Sequence, residues 1–182
     1  MGGAAPVPPS FTRTVVATEE GSMQEHAGHK DARQAVKGHY GGLGVEMAAH
    51  FIIMYLVMYT MIASLDHFYP NNNTLWMTLM MVTPMAPIMM LTMRSMFPSR
   101  PLNVAVVAVA VLVFAGSFWA MRAQGGIGNE EFLKSMIPHH SGAILMCERA
   151  SINDREIADL CRDIVAAQER EIAQMQRILE RY

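Results

Sequence analysis

Three long stretches without a charged residue limit the folds open to this chain. They run from 47 to 65, from 75 to 93 and from 102 to 121. A helix of about 20 residues rises by about 30 Å, which matches the hydrocarbon core of a bilayer. In lipid the backbone N–H and C=O groups must pair within the segment, and a helix does this. We therefore expect an all-α protein with a three-span membrane domain over residues 47–122, surrounded by membrane lipid.

The second stretch contains prolines and many methionines. Pro84 and Pro87 each lack a backbone N–H, so a kink is expected near the middle of the membrane. Three methionines beside the kink, Met80, Met81 and Met85, could carry a soft metal ion through the span. Packing is the favoured interpretation, because the stretch contains no Asp, Glu or His.

Charge outside the three stretches predicts the orientation. Residues 1–46 are rich in Gly, Ala, Pro and charge, which predicts a flexible tail. The cationic side chains nearest the first stretch and in the second loop are Lys30, Arg33, Lys37, Arg94 and Arg100. The positive-inside rule then places the N-terminus in the cytoplasm and the C-terminus across the membrane, in the periplasm if the membrane is a bacterial inner membrane. The net charge of −2 argues against a nucleic-acid partner.

The chain beyond the third stretch has a different character. Residues 123–128 are rich in glycine and predict a hinge, and residues 129–182 are charged and periodic. Asn129 can cap a first helix, and the spacing from Asn153 to Glu156 is that of a capping box for a second. Residues at spacings of four and three predict an apolar seam between the two helices. The seam comprises Phe132, Met136, His139, Ala143, Met146 and Ala150 in the first helix, and Ile157, Cys161, Ile164, Gln168, Ile172, Met175 and Leu179 in the second.

The first helix of this hairpin is rich in metal-binding side chains. Residues 132–148 read FLKSMIPHHSGAILMCE and contain imidazole, thioether and thiol groups, which favour soft or borderline metals such as copper. The same residue types can instead fill a core. The candidate ligands are His139, His140, Met136, Met146 and Cys147, with Cys161 or Met175 from the second helix.

The donor set favours binding over catalysis. The hairpin has no Glu-x-x-His pairs for a di-iron centre and no arrangement of a nucleophile with a base, so we do not expect an enzyme. Adjacent helical residues diverge by about 100°, so His139 and His140 cannot both face one neighbour. A hairpin of this size has little core, and a second copy would complete a four-helix bundle and the ligand set. A disulfide between Cys147 and Cys161 is possible but not required.

The motifs MIPHHSGAILM and IVAAQEREIAQM resemble the bacterial domain of unknown function found in periplasmic copper-binding proteins of the CopM type. The resemblance covers about residues 129–179, and the three-span front end resembles a membrane-bound branch of that family. It implies a ferritin-like helical bundle that faces the periplasm and binds a copper ion, Cu(I) or Cu(II). By position, the implied ligands are Met136, His139, His140, Met146 and Met175; the two cysteines go beyond the pattern.

Three functions are therefore carried forward. The leading hypothesis is an inner-membrane protein whose periplasmic hairpin binds copper for tolerance or transfer. In the second, the hairpin is an oligomerisation module of a membrane complex, with its Met and His residues in the core. The third is metal transport through the Met-rich span, ranked last because three spans form a pore only by oligomerising.

Overall fold

The computed structural model describes residues 38–182, and every regular element in that range is helical. This confirms the all-α prediction. Short 3-10 turns at Leu65–His67 and Arg94–Met96 lie in the loops. The helices are α1 (Gly38–Val57), α2 (Asn72–Val82), α3 (Met85–Thr92), α4 (Arg100–Arg122), α5 (Asn129–Arg149) and α6 (Arg155–Leu179).

Three helical segments are long and apolar enough to cross a membrane, as predicted. They are Gly38–Val57, Asn72–Thr92 and Arg100–Arg122. The first begins and ends earlier than the predicted 47–65. The expected flexible tail is therefore wrong for residues 38–46, which are helical because Leu43 packs into a buried cluster with Met90 and Phe97. The rest of that tail, residues 1–37, lies outside the described residues.

The second apolar segment is broken where the prolines predicted a kink. α2 ends at Val82 and α3 begins at Met85, with Pro84 in the break. The Thr83 hydroxyl donates to the Leu79 carbonyl at 2.9 Å, which adds a partner to a carbonyl next to the break. α4 packs along both α2 and α3. Met81 lies on the outside of this bundle, exposed, so the methionines beside the kink do not all line one path.

α5 and α6 form the predicted helical hairpin, and its interior is aliphatic. The buried residues are Leu133, Ile137 and Ile144 from α5 with Ile172 and Met175 from α6. Val165, Ile178 and Leu179 pack around them. These side chains recur at helical spacing on both elements, so packing one face of each helix on the other removes a continuous apolar surface from water.

The predicted seam is wrong for most of α5, where Met136 alone is placed against the core, and only partly right for α6. Phe132 and Met146 are 52% and 59% exposed, and His139 is exposed with them. In α6 the seam is right at Met175 and wrong at Ile157, which is exposed. α5 carries two uncharged stripes one residue apart, and the aliphatic one is buried because an imidazole is costly to bury without partners.

The Gly-rich segment at 123–128 is tied to α2. The Trp76 indole N–H donates to the Gly125 carbonyl at 3.1 Å, and the Asn72 amide donates to the Gly126 carbonyl at 3.2 Å. Gly126 has a φ of 74°, in the left-handed region that a glycine adopts without steric cost. The segment predicted as a hinge is thus a turn held by hydrogen bonds, and it fixes where α5 begins.

Candidate metal site

Both ring nitrogens of His140 contact other groups of the protein. Its Nδ1 lies 2.9 Å from the Met136 carbonyl oxygen, and its Nε2 lies 2.8 Å from Oε2 of Glu171 on α6. Both ring nitrogens thus lie within hydrogen-bonding distance of protein oxygen atoms, so neither is open to a metal ion. In this conformation His140 joins the two helices of the hairpin.

His139 has the opposite environment. Its ring is exposed, and among residues 38–182 it has no hydrogen-bond partner. The centroids of the two imidazole rings lie 6.1 Å apart, consistent with the predicted divergence of adjacent residues. Of the two histidines, His139 is therefore the one that can offer a nitrogen to an ion without breaking a contact.

The predicted methionine ligands do not all lie beside His139. Met175 is 9% exposed and belongs to the hairpin core. Met136 is half-buried at the edge of that core, three residues before His139. Met146 is exposed, seven residues after His139 and so on the same face of α5. By helical spacing Met136 and Met146 lie on the side of α5 that carries His139, one and two turns away, whereas Met175 lies in the hairpin core.

The two cysteines form a disulfide. Cys147 and Cys161 are bonded, with their Cα atoms 5.3 Å apart. The bond joins the end of α5 to the first half of α6. In this state neither sulfur is a thiolate, the form in which cysteine binds metals. The sequence left this disulfide open, and the structure contains it.

A single chain does not assemble a conventional metal cage in the part that the structure describes. Within residues 38–182, no three side chains of His, Cys, Asp or Glu come together in a way that could hold a metal ion. On the face of α5 that carries His139, the exposed donors are the His139 imidazole and the Met146 thioether, and the Met136 thioether is half-buried. Any site on this face would therefore use thioether sulfur, or donors from another chain, to complete its coordination.

Ser141, directly after the histidines, joins the hairpin to the loop between α1 and α2. Its side chain is fully buried, and its Oγ accepts from the Ala63 N–H at 2.7 Å. The same Oγ lies 2.8 Å from Nδ1 of His67. A Cβ added to Gly142 would lie 3.5 Å from the Met61 carbonyl oxygen, an ordinary van der Waals contact, so α5 lies directly against the loop here. The second half of the HHSG motif is a docking element.

The asparagine run at 71–73 provides the rest of that docking surface. Asn71 caps α2, and its amide also donates to the Lys134 carbonyl at 3.4 Å. The backbone N–H of Asn72 donates to Oε2 of Glu131 at 2.9 Å, and the Asn73 amide reaches the Ser135 hydroxyl at 3.3 Å. From here on, residues 58–73 are called the docking loop.

These docking residues carry no periodic pattern that would identify them in the sequence. Ser141 lies within the motif MIPHHSGAILM, whose resemblance points to metal ligands rather than to a contact with another loop. The available signal is a run of three asparagines, each with both a donor and an acceptor, in a loop that the three-span prediction places on the hairpin side of the membrane.

Two shifted pKa values lie at this junction. Glu130, in the first turn of α5, pairs with Lys134 at 2.6 Å and raises the pKa of the lysine. Tyr59, just beyond α1, is buried, and its hydroxyl donates to the Tyr69 carbonyl at 3.0 Å. Burial raises the pKa of Tyr59, with the Tyr55 hydroxyl as a second cause.

Two comparisons with known proteins bear on this arrangement. Residues 119–179 match the domain of unknown function DUF305, from the end of α4 through α6. A protein of Acanthamoeba polyphaga mimivirus, called Uncharacterized protein L153, is 30% identical over 110 residues, which are 59% of this chain and 70% of the viral protein. The C-terminal third of the chain therefore carries a DUF305 domain. No solved structure gives a significant match.

The DUF305 match contains the face of α5 that carries His139, but it does not contain all of the residues that hold α5 in place. His139, Met146 and Ser141 lie inside residues 119–179, whereas the docking loop lies outside them. The match coincides with the domain that the sequence motifs indicated. Neither description mentions a metal, so copper binding stays a prediction.

Proposed function

We propose that the DUF305 hairpin binds copper at the outer face of α5, as the soluble part of a protein anchored by three spans, for copper tolerance or transfer. The observation that carries the proposal is His139: an exposed imidazole without a hydrogen-bond partner among the described residues, with Met146 on the same face and Met136 beside it. A histidine ring with no structural task in the fold is free to take a ligand.

The donor types favour Cu(I). Thioether sulfur is a soft ligand that selects Cu(I), and imidazole binds copper in either oxidation state. The stripe that contains His139 carries no carboxylate, whereas a site for Mg²⁺ or Ca²⁺ would use oxygen ligands. Its members are Phe132, Met136, His139, Ala143, Met146 and Ala150.

A second copy of the chain would complete the coordination. One imidazole and two thioethers per chain are few donors, and the large apolar groups on the stripe are exposed in a single chain. In a two-fold dimer each residue meets its counterpart or a partner residue reciprocally. An axis that passes near His139 would bring two imidazoles and several thioethers to one place, in a four-helix bundle of two hairpins.

The bacterial inner membrane, with the hairpin in the periplasm, is the location that fits this function. The docking loop contains no Lys or Arg, while Arg94 lies in the loop between α3 and α4 and Arg100 is the first residue of α4. The positive-inside rule then favours a hairpin on the non-cytoplasmic side.

Titration of the full-length protein in detergent with Cu(I), in competition with a chromophoric chelator, tests the proposal. We expect saturable binding by the disulfide-bonded protein. His139→Gln should weaken it by at least about tenfold, as expected for the loss of a ligand. Met146→Leu should have a smaller effect, because one of several thioethers is lost.

His39→Gln is the matched control, since His39 is also exposed but lies on α1. It should leave the affinity unchanged. Absence of saturable binding, or the same affinity in wild type and His139→Gln, would contradict copper binding at this face.

The alternative function, an oligomerisation module, is favoured by the exposed Phe132 on the same stripe. It requires no metal. Under it, the protein would assemble fully in chelator, and Met136→Leu with Met146→Leu would leave both assembly and any metal phenotype intact.

A further inference from the structure

The disulfide lies at an accessible place on the hairpin. Cys147 and Cys161 are both partly exposed, and both line a surface cavity of about 480 Å³. The other lining residues include Glu148, Arg162 and Glu169. A small reductant or a copper complex can therefore reach the sulfur atoms from solvent, which is uncommon for a disulfide that only staples a core.

We propose that reduction of this disulfide creates a second, separate copper(I) site, in which the two thiolates of Cys147 and Cys161 hold one ion. The choice of metal rests on the proposed function, whereas the existence of the dithiol site rests on the cysteine geometry. Oxidation closes the site and reduction opens it, so the redox state sets how much copper one chain can hold.

Helix packing keeps the two sulfur atoms together after the bond opens. The Cα atoms lie 5.3 Å apart on two helices that also pack through Ile144, Ile172 and their neighbours. This apolar contact does not depend on the disulfide. The two side chains therefore remain close enough to bind the same ion by small rotations about their Cα–Cβ bonds.

The surroundings suit Cu(I) better than zinc. Structural zinc sites need four ligands, and within residues 38–182 no third His, Asp or Glu is placed to join the two cysteines in a metal site. Soft thiolates select Cu(I). A bis-thiolate Cu(I) centre carries one negative charge, and the cavity is also lined by Arg162, whose guanidinium pairs with Asp159.

Reduction of the disulfide requires a dithiol reductant, because a periplasmic location would itself be oxidising. A thiolate of the reductant attacks one cysteine sulfur, the Cys147–Cys161 bond breaks, and the other cysteine leaves as a thiolate. The second thiol of the reductant then releases the mixed disulfide. Two electrons have passed to the chain and the reductant has become a disulfide. Cu(I) then binds both cysteine sulfurs as thiolates, and any thiol proton is released to solvent.

The dithiol site is distinct from the face that carries His139. No histidine or methionine lines the cavity beside the cysteines. His140, which lies between the two places on α5, is engaged by Glu171. Loss of one site should therefore leave the other intact, so the two proposals can fail separately.

The test compares Cu(I) stoichiometry in the oxidised and reduced full-length protein in detergent. The reduced sample is treated with a phosphine, which is then removed without air, and thiol alkylation with mass spectrometry counts two free cysteines. We expect about one additional Cu(I) per chain after reduction, with sulfur as its only ligand in X-ray absorption.

Three variants make the result specific. Cys147→Ser with Cys161→Ser should abolish the increment, and the Cys→Ala pair repeats the test if the serine pair folds poorly by circular dichroism. His139→Gln should keep the increment while it lowers binding to the oxidised protein. No increment in folded protein with two free thiols, or an equal increment in the double variants, overturns the dithiol site, whatever the oxidised protein binds.

Discussion

Ser141 shows how one short motif serves two surfaces. His139, two residues earlier, is exposed, while the Ser141 side chain is fully buried against the docking loop. Its hydroxyl oxygen accepts from the Ala63 N–H and contacts His67, groups that lie far away in the sequence. Because neighbouring helix positions point in different directions, four consecutive residues can present a metal donor and anchor the helix at the same time.

Ser141→Ala should therefore destabilise the hairpin. The Ala63 N–H would lose its acceptor in a partly buried place, which costs about 1 kcal/mol. Ser151→Ala, in the exposed turn between α5 and α6, is the control and should have little effect. Thermal unfolding and amide hydrogen exchange at Ala63 measure the difference, and unchanged exchange at Ala63 in Ser141→Ala would contradict the assigned contact.

The raised pKa of Tyr59 predicts that the protein loses stability in alkaline solution. Burial raises the pKa of Tyr59 above its ordinary value of about 10. A raised pKa in the folded state means that the stabilising contribution is complete below the unfolded pKa and is lost as the pH rises above it. Tyr59→Phe removes this titration, so its unfolding temperature should fall less than that of wild type above about pH 10.

At neutral pH the same variant should be less stable by about 1 kcal/mol, because the Tyr69 carbonyl loses its hydroxyl donor. Unfolding temperatures at neutral pH and above pH 10 give both comparisons. Tyr182→Phe, at an exposed tyrosine, serves as the control. Parallel pH curves for wild type and Tyr59→Phe would rule out Tyr59 as the source of the alkaline effect.

At the scale of the elements, α5 explains which predictions held. Periodicity and capping predicted the two helices, the turn between them and the core positions Ile172 and Met175. The buried face of α5 did not, because Leu133 and Ile137 lie on a stripe with the same period as Phe132 and Met136. A period identifies an amphipathic helix but does not choose between two adjacent uncharged stripes; the packing partner makes that choice.

Removal of the disulfide should weaken the hairpin without unfolding it. Cys147 and Cys161 are 14 residues apart, and a loop of about that length gives a chain-entropy stabilisation of about 3 kcal/mol. The double change to alanine should therefore lower the unfolding temperature of the hairpin in the full-length protein. Wild type treated with reductant should show a similar decrease. An unchanged unfolding temperature in both samples would mean that the bond adds no stability.

At the scale of the whole molecule, the outer stripe of α5 predicts a dimer. Phe132 is 52% exposed, so Phe132→Glu should leave the chain folded, but it would bury an unpaired charge between two copies. Light scattering in detergent, corrected for bound detergent, should show a dimer for wild type and for Phe132→Leu, and a monomer for Phe132→Glu. A monomeric wild type, or a dimeric Phe132→Glu, would contradict an interface at this stripe.

The arrangement of the molecule was predictable only in part. The apolar stretches predicted three spans because a bilayer fixes their length. The attachment of the hairpin to the docking loop was not predictable, because it depends on single hydrogen bonds from Asn71, Asn72 and Ser141 to partners distant in the sequence. Such contacts leave no periodic pattern, and a polar loop looks the same whether it binds water or another helix.

The docking loop also bears on how the topology of this protein should be mapped. A polar loop between two spans is a usual place for an epitope tag or a reporter. Here, an insertion between Ala63 and Asn73 would separate α5 from its supports, so a missing signal would report a displaced hairpin rather than a loop on the wrong side. The exposed C-terminal residue Tyr182 is the safer place for a label.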